Sequence, residues 1–311
     1  MITVTGSLAF DHIMDFPGAF GDHIMPDKIH QINLSFLVNT LSKQKGGTAG
    51  NIAYNLALLK MPVGIVGAVG VDFLDYAKFL QNSGVDISQI KTIENNLTSS
   101  AFIMTDKKDN QITAFYPGAM DQAASLTLAP SDFVVVSPNN PEAMIKFVAD
   151  CQKSYTPYML DPGMQLPALS SETLKNMIKG TTILIGNDYE ISLLSNKLAL
   201  SGVEGLLENT KILITTLGEN GSTIQTKEKT LQIAAGKPNA VVDPTGAGDA
   251  YRGGFLAGYS KDLDLQVCGQ MGSTAACYAI EKYGTTNHSF SITEFSQRYE
   301  SNFGEELKYE I

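Results

Sequence analysis

The chain has 311 residues, and 22 basic against 32 acidic side chains give a net charge of −10, which excludes the broad positive field of a nucleic-acid binder. Only Arg252 and Arg298 occur as arginines, so recognition built on several guanidinium forks is excluded as well. An apolar fraction of 43% with 17% charged residues suits a protein with a large core and excludes disorder.

One main domain with an elaboration is expected, because no Pro- or Ser-rich linker divides the chain. Cys151, Cys268 and Cys277 form no CxxC pair and have no accompanying His cluster, against both a disulfide framework and structural zinc. The N-terminus lacks a basic leader and meets Asp11 before any apolar run reaches spanning length. A cytoplasmic protein with no membrane partner is the expectation.

In chain order, Ile2 to Thr5 reads as a short buried strand ending at Gly6, and Ser7 to Asp11 as a loop carrying a carboxylate. From about 12 to 45 the helical period is lost, and IMDFP, IHQINLSF and LVNTL predict extended structure apart from the main sheet. Ala49 to Lys60 has helical spacing (Ile52, Ala53, Leu56, Leu59, then Met61), and VGIVGAV over 63–69 reads as a strand. SAFIMT and QITAFYP predict a hairpin around 107–110. The apolar runs FVVVS (133–137), YML (158–160), TTILIG (181–186) and KILITT (211–216) follow, most separated by helical segments. This alternation predicts an α/β fold with a parallel sheet covered on both faces. STIQT and TLQIAAG predict a second hairpin, and helices are expected over 247–258, 263–283 and 292–299.

The strongest local feature is Asp243-Pro244-Thr245-Gly246-Ala247-Gly248-Asp249-Ala250, between a strand-like segment and an apolar helix. Small residues before a helix leave its first N–H groups open and the helix dipole favours anions there, so an anion site without cationic side chains is predicted. Asp249 reads as an N-cap, or as a carboxylate that accepts a proton from an attacking hydroxyl while the amides take developing charge. No GxxxxGK[ST] P-loop is present. Tyr251 stands where a dinucleotide fingerprint needs its third glycine.

Gly46-Gly47-Thr48-Ala49-Gly50-Asn51 opens the first long helix. It reads as a flexible entry loop, or as bare backbone against a polyhydroxylated ligand that Asn51 and Asp11 both grip. In Gly186-Asn187-Asp188-Tyr189-Glu190, Asn187 reads as a helix cap, or with Glu190 as a holder of the hydrated Mg²⁺ that a nucleotide brings. Thr215-Thr216-Leu217-Gly218-Glu219-Asn220-Gly221 is a fourth loop expected on the same sheet edge. His12, His23, His30 and His288 show no HExxH or close pairing, so metal catalysis through histidine is not expected.

Together these segments resemble the ribokinase-like carbohydrate and nucleoside kinases of the PfkB family. GGTAGN (46–51) is similar to its N-terminal signature and DPTGAGDAYRGGF (243–255) to its C-terminal one, while NDYE (187–190) and TLGENG (216–221) match its magnesium and ATP-loop motifs. The resemblance implies a three-layer α/β/α domain over 1–311, with a mostly parallel central sheet and a discontinuous β-lid from about 12–45 and 98–118. It further implies that Asp249 is the catalytic base and that the amides of Gly246, Ala247 and Gly248 form an anion hole. Asp11, Gly46, Gly47 and Asn51 would bind the acceptor. ATP would lie against Asn187, Thr216, Gly218, Gly221, Thr245, Gly246 and Gly248. Magnesium would be held through water by Glu190 and Asn187, and potassium is expected near Asp243.

NQITAFYPGAM (110–120), DPGMQLP (161–167) and DAYRGG (249–254) resemble the nucleoside-kinase branch. ATP-dependent phosphorylation of the 5′-hydroxyl of adenosine in purine salvage is therefore expected, with Phe102, Phe115 and Tyr116 as stacking surfaces for the base. A ribokinase-type kinase for ribose or a related furanose is the alternative, and a catalytically silent nucleotide-sensing protein a further one. The lid segments carry Lys28, Lys43, Lys45, Lys107 and Lys108 but no arginine, which disfavours a sugar-phosphate acceptor. Lid strands either pair two subunits in a homodimer or cap the site of a monomer.

Overall fold

The computed structural model of the chain describes residues 1–24, 33–108 and 110–309. Lys28, His30 and part of the IHQINLSF segment lie outside the described residues.

The first half contains β1 (Ile2–Thr5), β2 (Ala9–Asp15), β3 (Thr40–Gly46), α1 (Thr48–Leu58), β4 (Val63–Val69), α2 (Leu74–Asn82) and β5 (Ile90–Thr92). Next come β6 (Ser99–Thr105), β7 (Gln111–Tyr116), β8 (Phe133–Val136), α3 (Pro141–Ser154) and β9 (Tyr158–Leu160). The rest comprises α4 (Ser171–Ile178), β10 (Thr181–Asn187), α5 (Asp188–Lys197), β11 (Thr210–Thr216), β12 (Ser222–Gln225) and β13 (Thr230–Ile233), followed by α6 (Ala247–Tyr259), α7 (Leu265–Ile280) and α8 (Ile292–Phe303).

The central sheet has nine strands in the order β13-β12-β11-β10-β9-β8-β1-β4-β5. Its strands are parallel except for the β12–β13 hairpin at one edge. Side-chain alternation sends Phe133, Val135, Ile183, Ile185, Ile212 and Ile214 into one core and Val134, Val136, Leu184 and Leu213 into the other. Helices cover both faces, with α1, α6, α7 and α8 on the first core and α3, α4 and α5 on the second. That is the three-layer α/β/α arrangement the apolar runs predict.

A separate four-stranded sheet has the order β3-β2-β6-β7. The chain leaves the central sheet after β1, turns at Gly6-Ser7-Leu8 and enters this sheet at Ala9. Asp11 is therefore on a strand, contrary to the expected loop. The alternating segment AFDHIMD satisfies its backbone by pairing with β3 and β6.

Helix α6 packs unusually close on α1 and on α7. A Cβ on Gly253 would lie 2.6 Å from the Cβ of Asn55 on α1, and one on Gly254 would lie 2.5 Å from the Met271 carbonyl on α7, so only glycine admits this approach. Burial of Ile52, Leu56, Phe255 and Met271 holds the helices there, each side chain contributing roughly 1.5–3 kcal/mol. The result brings the first turns of α1 and α6 face to face.

Candidate active site

Parallel strands put the loops after β1, β8, β9, β10 and β11 at one edge of the sheet, where α/β proteins hold ligands. Asn51, in the first turn of α1, donates from Nδ2 to Asp249 Oδ2 at 2.8 Å. Thr285 Oγ1 lies 2.8 Å from Asn51 Oδ1 and 2.9 Å from the Lys45 carbonyl, sharing one proton between two acceptors. The Asn51 amide is thus locked in the orientation that presents a donor to Asp249. GGTAGN and DPTGAGD, far apart in sequence, meet at this contact.

Asp249 is half-buried. Burial raises its pKa above the ordinary carboxylate value, Arg252 and the Asn51 hydrogen bond pull it down, and Asp11 pushes it up. Asp11 reaches across from β2 with its carboxylate against Gly46. Burial and then the charge of Asp243 push its pKa up to about 6. No protein group among the described residues hydrogen-bonds the Asp11 carboxylate, which leaves its oxygens for a ligand. Tyr76, fully buried, donates to the Gly46 carbonyl at 3.0 Å and feels both carboxylates.

The turn before α6 is built on Gly246 at φ +82°, a left-handed conformation that disfavours any side chain. Among the described residues, the N–H groups of Gly246, Gly248 and Asp249 have no backbone acceptor, whereas the Ala247 N–H bonds the Pro244 carbonyl at 3.2 Å. Ala247 is therefore corrected as an anion-hole donor, and the Asp249 amide is a candidate that motif reading missed. Asp243 ties the turn down, accepting from Thr245 N and Gly284 N at 2.9 Å each.

The turn also has a cation, contrary to the expectation of an anion site built from backbone alone. Arg252 lies one helical turn beyond Gly248, and its side chain leans back toward the N-terminus. Its Nη1 sits 2.8 Å from where a Gly248 Cβ would be. Arg252 Nε and Asp161 Oδ2 form a buried ion pair at 2.8 Å, with the N–H not aimed along that line. Asp161 follows β9 at the same sheet edge, and its Oδ1 is buried without a hydrogen-bond partner. Burial pushes the Asp161 pKa up to about 6 against the pull of Arg252. Burial also works against the Arg252 charge, yet Asp161, Asp249 and Glu190 together hold it protonated.

Beside the turn, a cavity of about 860 Å³ is lined by Thr216, Gly218 and Gly221 from the TLGENG loop and by Ala247 and Gly248 from α6. Thr245 and Asn187 do not line it. Asn187 and Glu190 form a capping box at the start of α5: Asn187 Oδ1 accepts from Glu190 N, and Glu190 Oε2 accepts from Asn187 N, both at 2.8 Å. The helix-cap reading of Asn187 therefore holds. One oxygen of Glu190, Oε1, makes no protein hydrogen bond among the described residues.

Strand register separates the expected aromatic pair. Asp11 aligns with Ala101 and Ala101 with Phe115, whereas His12 aligns with Phe102. Aligned residues share a face, so Phe115 stands on the side of Asp11. Phe102 stands on the other, stacked on His12 with ring centroids 4.7 Å apart. Tyr116, one residue after Phe115, also faces away. His288 is buried against Asn55, 2.9 Å from its Oδ1, and His23 packs on Phe16 and Phe36. Among the described residues no group of His, Cys, Asp and Glu is suited to hold a metal by itself, and no helix is long and apolar enough to cross a membrane.

Residues 9–292 match the family model of the pfkB family carbohydrate kinases. The chain is 35% identical over 291 residues to the nucleoside kinase of Methanocaldococcus jannaschii, covering 91% of each. It is 30% identical over 313 residues to the nucleoside kinase of Methanothermobacter thermautotrophicus, covering 98% of this chain and 97% of the relative. The structure of Burkholderia thailandensis nucleoside kinase in complex with inosine superposes with a TM-score of 0.89 at 34% identity, over 98% of this chain and 99% of that one. The fold is accordingly ribokinase-like and the chemistry that of a phosphotransferase with an alcohol acceptor. The chain belongs to the pfkB family of carbohydrate kinases.

Proposed function

We propose that this chain transfers the γ-phosphoryl group of ATP to the 5′-hydroxyl of a nucleoside, with purine nucleosides such as adenosine and inosine as acceptors. The observation that carries the reading is the contact of Asn51 with Asp249, beside free turn amides and at the edge of a cavity large enough for a nucleotide. The relatives named as nucleoside kinases support the acceptor class, and the structure of the Burkholderia enzyme in complex with ADP-inosine supports the donor.

In this reading Asp11 and Asn51 grip the ribose hydroxyls, Gly46 and Gly47 let backbone lie against the sugar, and Phe115 stacks on the base. Asp249 takes the 5′-hydroxyl proton, and a pKa above the ordinary carboxylate value makes it the stronger base. The amides of Gly246, Gly248 and Asp249 meet the charge that develops on the phosphoryl oxygens, each such donor contributing about 3 kcal/mol in the transition state. Thr216, Gly218 and Gly221 line the ATP side, and Thr245 and Asn187 act only through the loops they hold.

Glu190 fits magnesium delivered with ATP, because a magnesium ion that keeps most of its waters needs few protein ligands and Oε1 is free for one. That ion would neutralise charge on the β- and γ-phosphates. Both Asp243 oxygens are committed to backbone N–H groups, so a potassium site there is left out of the proposal. The four-stranded sheet acts as the lid over the sugar. Its outer face exposes Leu41, Phe102, Ile112 and Tyr116, which fits pairing of two copies through the lid.

A furanose kinase is the second reading, favoured by the outward-facing Phe102, which leaves less aromatic surface over the site. Assaying ATP-dependent turnover of adenosine, inosine, cytidine, ribose and fructose 6-phosphate separates the two. Higher kcat/KM for the nucleosides is expected, and a preference for free ribose would overturn the proposal.

A further inference from the structure

We propose that Arg252 is a catalytic residue of the transfer: its guanidinium, anchored on Asp161 and lying over Gly248, contacts the migrating phosphoryl group. The inference rests on the kinase reading above and adds a cationic side chain to a turn otherwise made of backbone.

Position is the first argument. Nη1 is 2.8 Å from the Cβ position of Gly248, and Gly248 lines the nucleotide cavity. The guanidinium therefore stands beside the free amides of Gly248 and Asp249. Unfilled hydrogen-bonding capacity is the second. Nε, paired in charge with Asp161, is the one guanidinium nitrogen that is sealed from solvent without a well-aimed hydrogen-bond acceptor. Nη1 and Nη2 make no protein hydrogen bond among the described residues and are not among the sealed, unpartnered atoms, so their donors are unused in the ligand-free protein.

The partner of Arg252 is poorly designed for a purely architectural role. A buried ion pair repays its desolvation only when the remaining lone pairs are also satisfied, and Asp161 Oδ1 is left with none. Three carboxylates, Asp161, Asp249 and Glu190, surround the one guanidinium. Without it, an arriving triphosphate would have the turn amides but no side-chain cation to offset these three carboxylates.

In the transfer, the bond from the γ-phosphorus to the β-bridging oxygen breaks and that oxygen leaves with ADP. The 5′-oxygen bonds to phosphorus, and its proton passes to the Asp249 carboxylate. Arg252 exchanges no proton and stabilises the equatorial oxygens, a role for which a planar fork of donors is suited.

The test compares wild type with Arg252→Gln, Arg252→Lys and Asp161→Asn, using ATP and inosine. Arg252→Gln is expected to lower kcat by at least ~1000-fold, the lower side of what arginine contributes to phosphoryl transfer, with KM for inosine little changed. Free guanidinium is expected to restore part of the turnover. Arg252→Lys keeps the charge but loses the fork, and is expected to fall between.

Two further readouts separate catalysis from architecture. The extra thermal stabilisation that aluminium fluoride adds to ADP and inosine is expected to vanish in Arg252→Gln, while stabilisation by ADP alone and by inosine alone persists. The acid limb of kcat/KM is expected to move to higher pH, because Asp249 keeps Asp11, Asn51 and Tyr76 around it but loses its one neighbouring cation. If Arg252→Gln fails to fold, the same comparisons are made on Arg252→Lys and Asp161→Asn. Wild-type kcat and an intact fluoride-dependent shift in the folded variants would overturn the inference while leaving the kinase reading in place. A wild-type enzyme inert toward nucleosides would instead overturn the kinase reading.

Discussion

Replacing Asp11 by Asn is expected to stabilise the ligand-free protein while crippling it. The Asp11 carboxyl is pushed from 3.8 up to about 6 by burial and by Asp243. A shift of that size corresponds to up to about 3 kcal/mol at about 1.36 kcal/mol per unit, and partial solvent access to the half-buried side chain reduces it to about 1–2 kcal/mol. A raised pKa means that the folded state holds the proton to higher pH than the unfolded chain does. The favourable contribution is therefore present below about pH 4 and lost as pH rises through about 6. Urea unfolding at pH 7.5 should show Asp11→Asn more stable than wild type by about 1–2 kcal/mol, and the gap should close near pH 4. Turnover should fall because charge-assisted hydrogen bonds to sugar hydroxyls, about 1.5–3 kcal/mol each, are lost. An Asn variant that is less stable at pH 7.5, or equally offset at both pH values, would refute this reasoning.

Other expectations follow from the same geometry. Gly47 has φ +89°, and a Cβ there would lie 2.5 Å from the Ser7 carbonyl. Gly47→Ala should therefore cost at least ~2 kcal/mol in chemical denaturation and abolish turnover. Phe115→Ala should raise the nucleoside KM roughly tenfold, as loss of an aromatic contact of ~1–1.5 kcal/mol predicts, whereas Phe102→Ala should leave it unchanged in steady-state assays. The acid limb of kcat/KM should lie above the ordinary carboxylate range, since the base must be ionised and its pKa is raised. A limb near pH 4 would remove Asp249 from that role.

Much of the central sheet is legible because FVVVS, TTILIG and KILITT are short apolar runs whose burial is decided locally. Helix ends are less so. The helix expected over 263–283 is α7, and it stops at Ile280 before a turn that Gly284 completes at φ +83°. The helix expected over 292–299 continues to Phe303 because Phe295, Tyr299 and Phe303 keep one apolar face. The four motif segments carry their own signals in glycines and flanking polar residues.

What sequence cannot reveal is set by pairing across long separations. Asp11 reads as a loop residue because AFDHIMD is mixed in polarity, and its strand exists only through β3 and β6. The opposite faces of Phe102 and Phe115 follow from the same register, which no local pattern encodes. Asp161 follows a strand of only three residues and acquires meaning only from Arg252. Arg252 itself had a usable signal: the i, i+4 spacing from Gly248 places its side chain over the turn.

The most direct test is to follow ADP and nucleoside 5′-phosphate formation from ATP and inosine with wild type and Asp249→Asn side by side. Both products should form in equal amounts with wild type. The variant should retain inosine binding but lose at least ~10²–10⁴-fold in kcat, as removal of a general base predicts. Near wild-type turnover by Asp249→Asn, or ADP release without a phosphorylated nucleoside, would contradict the account.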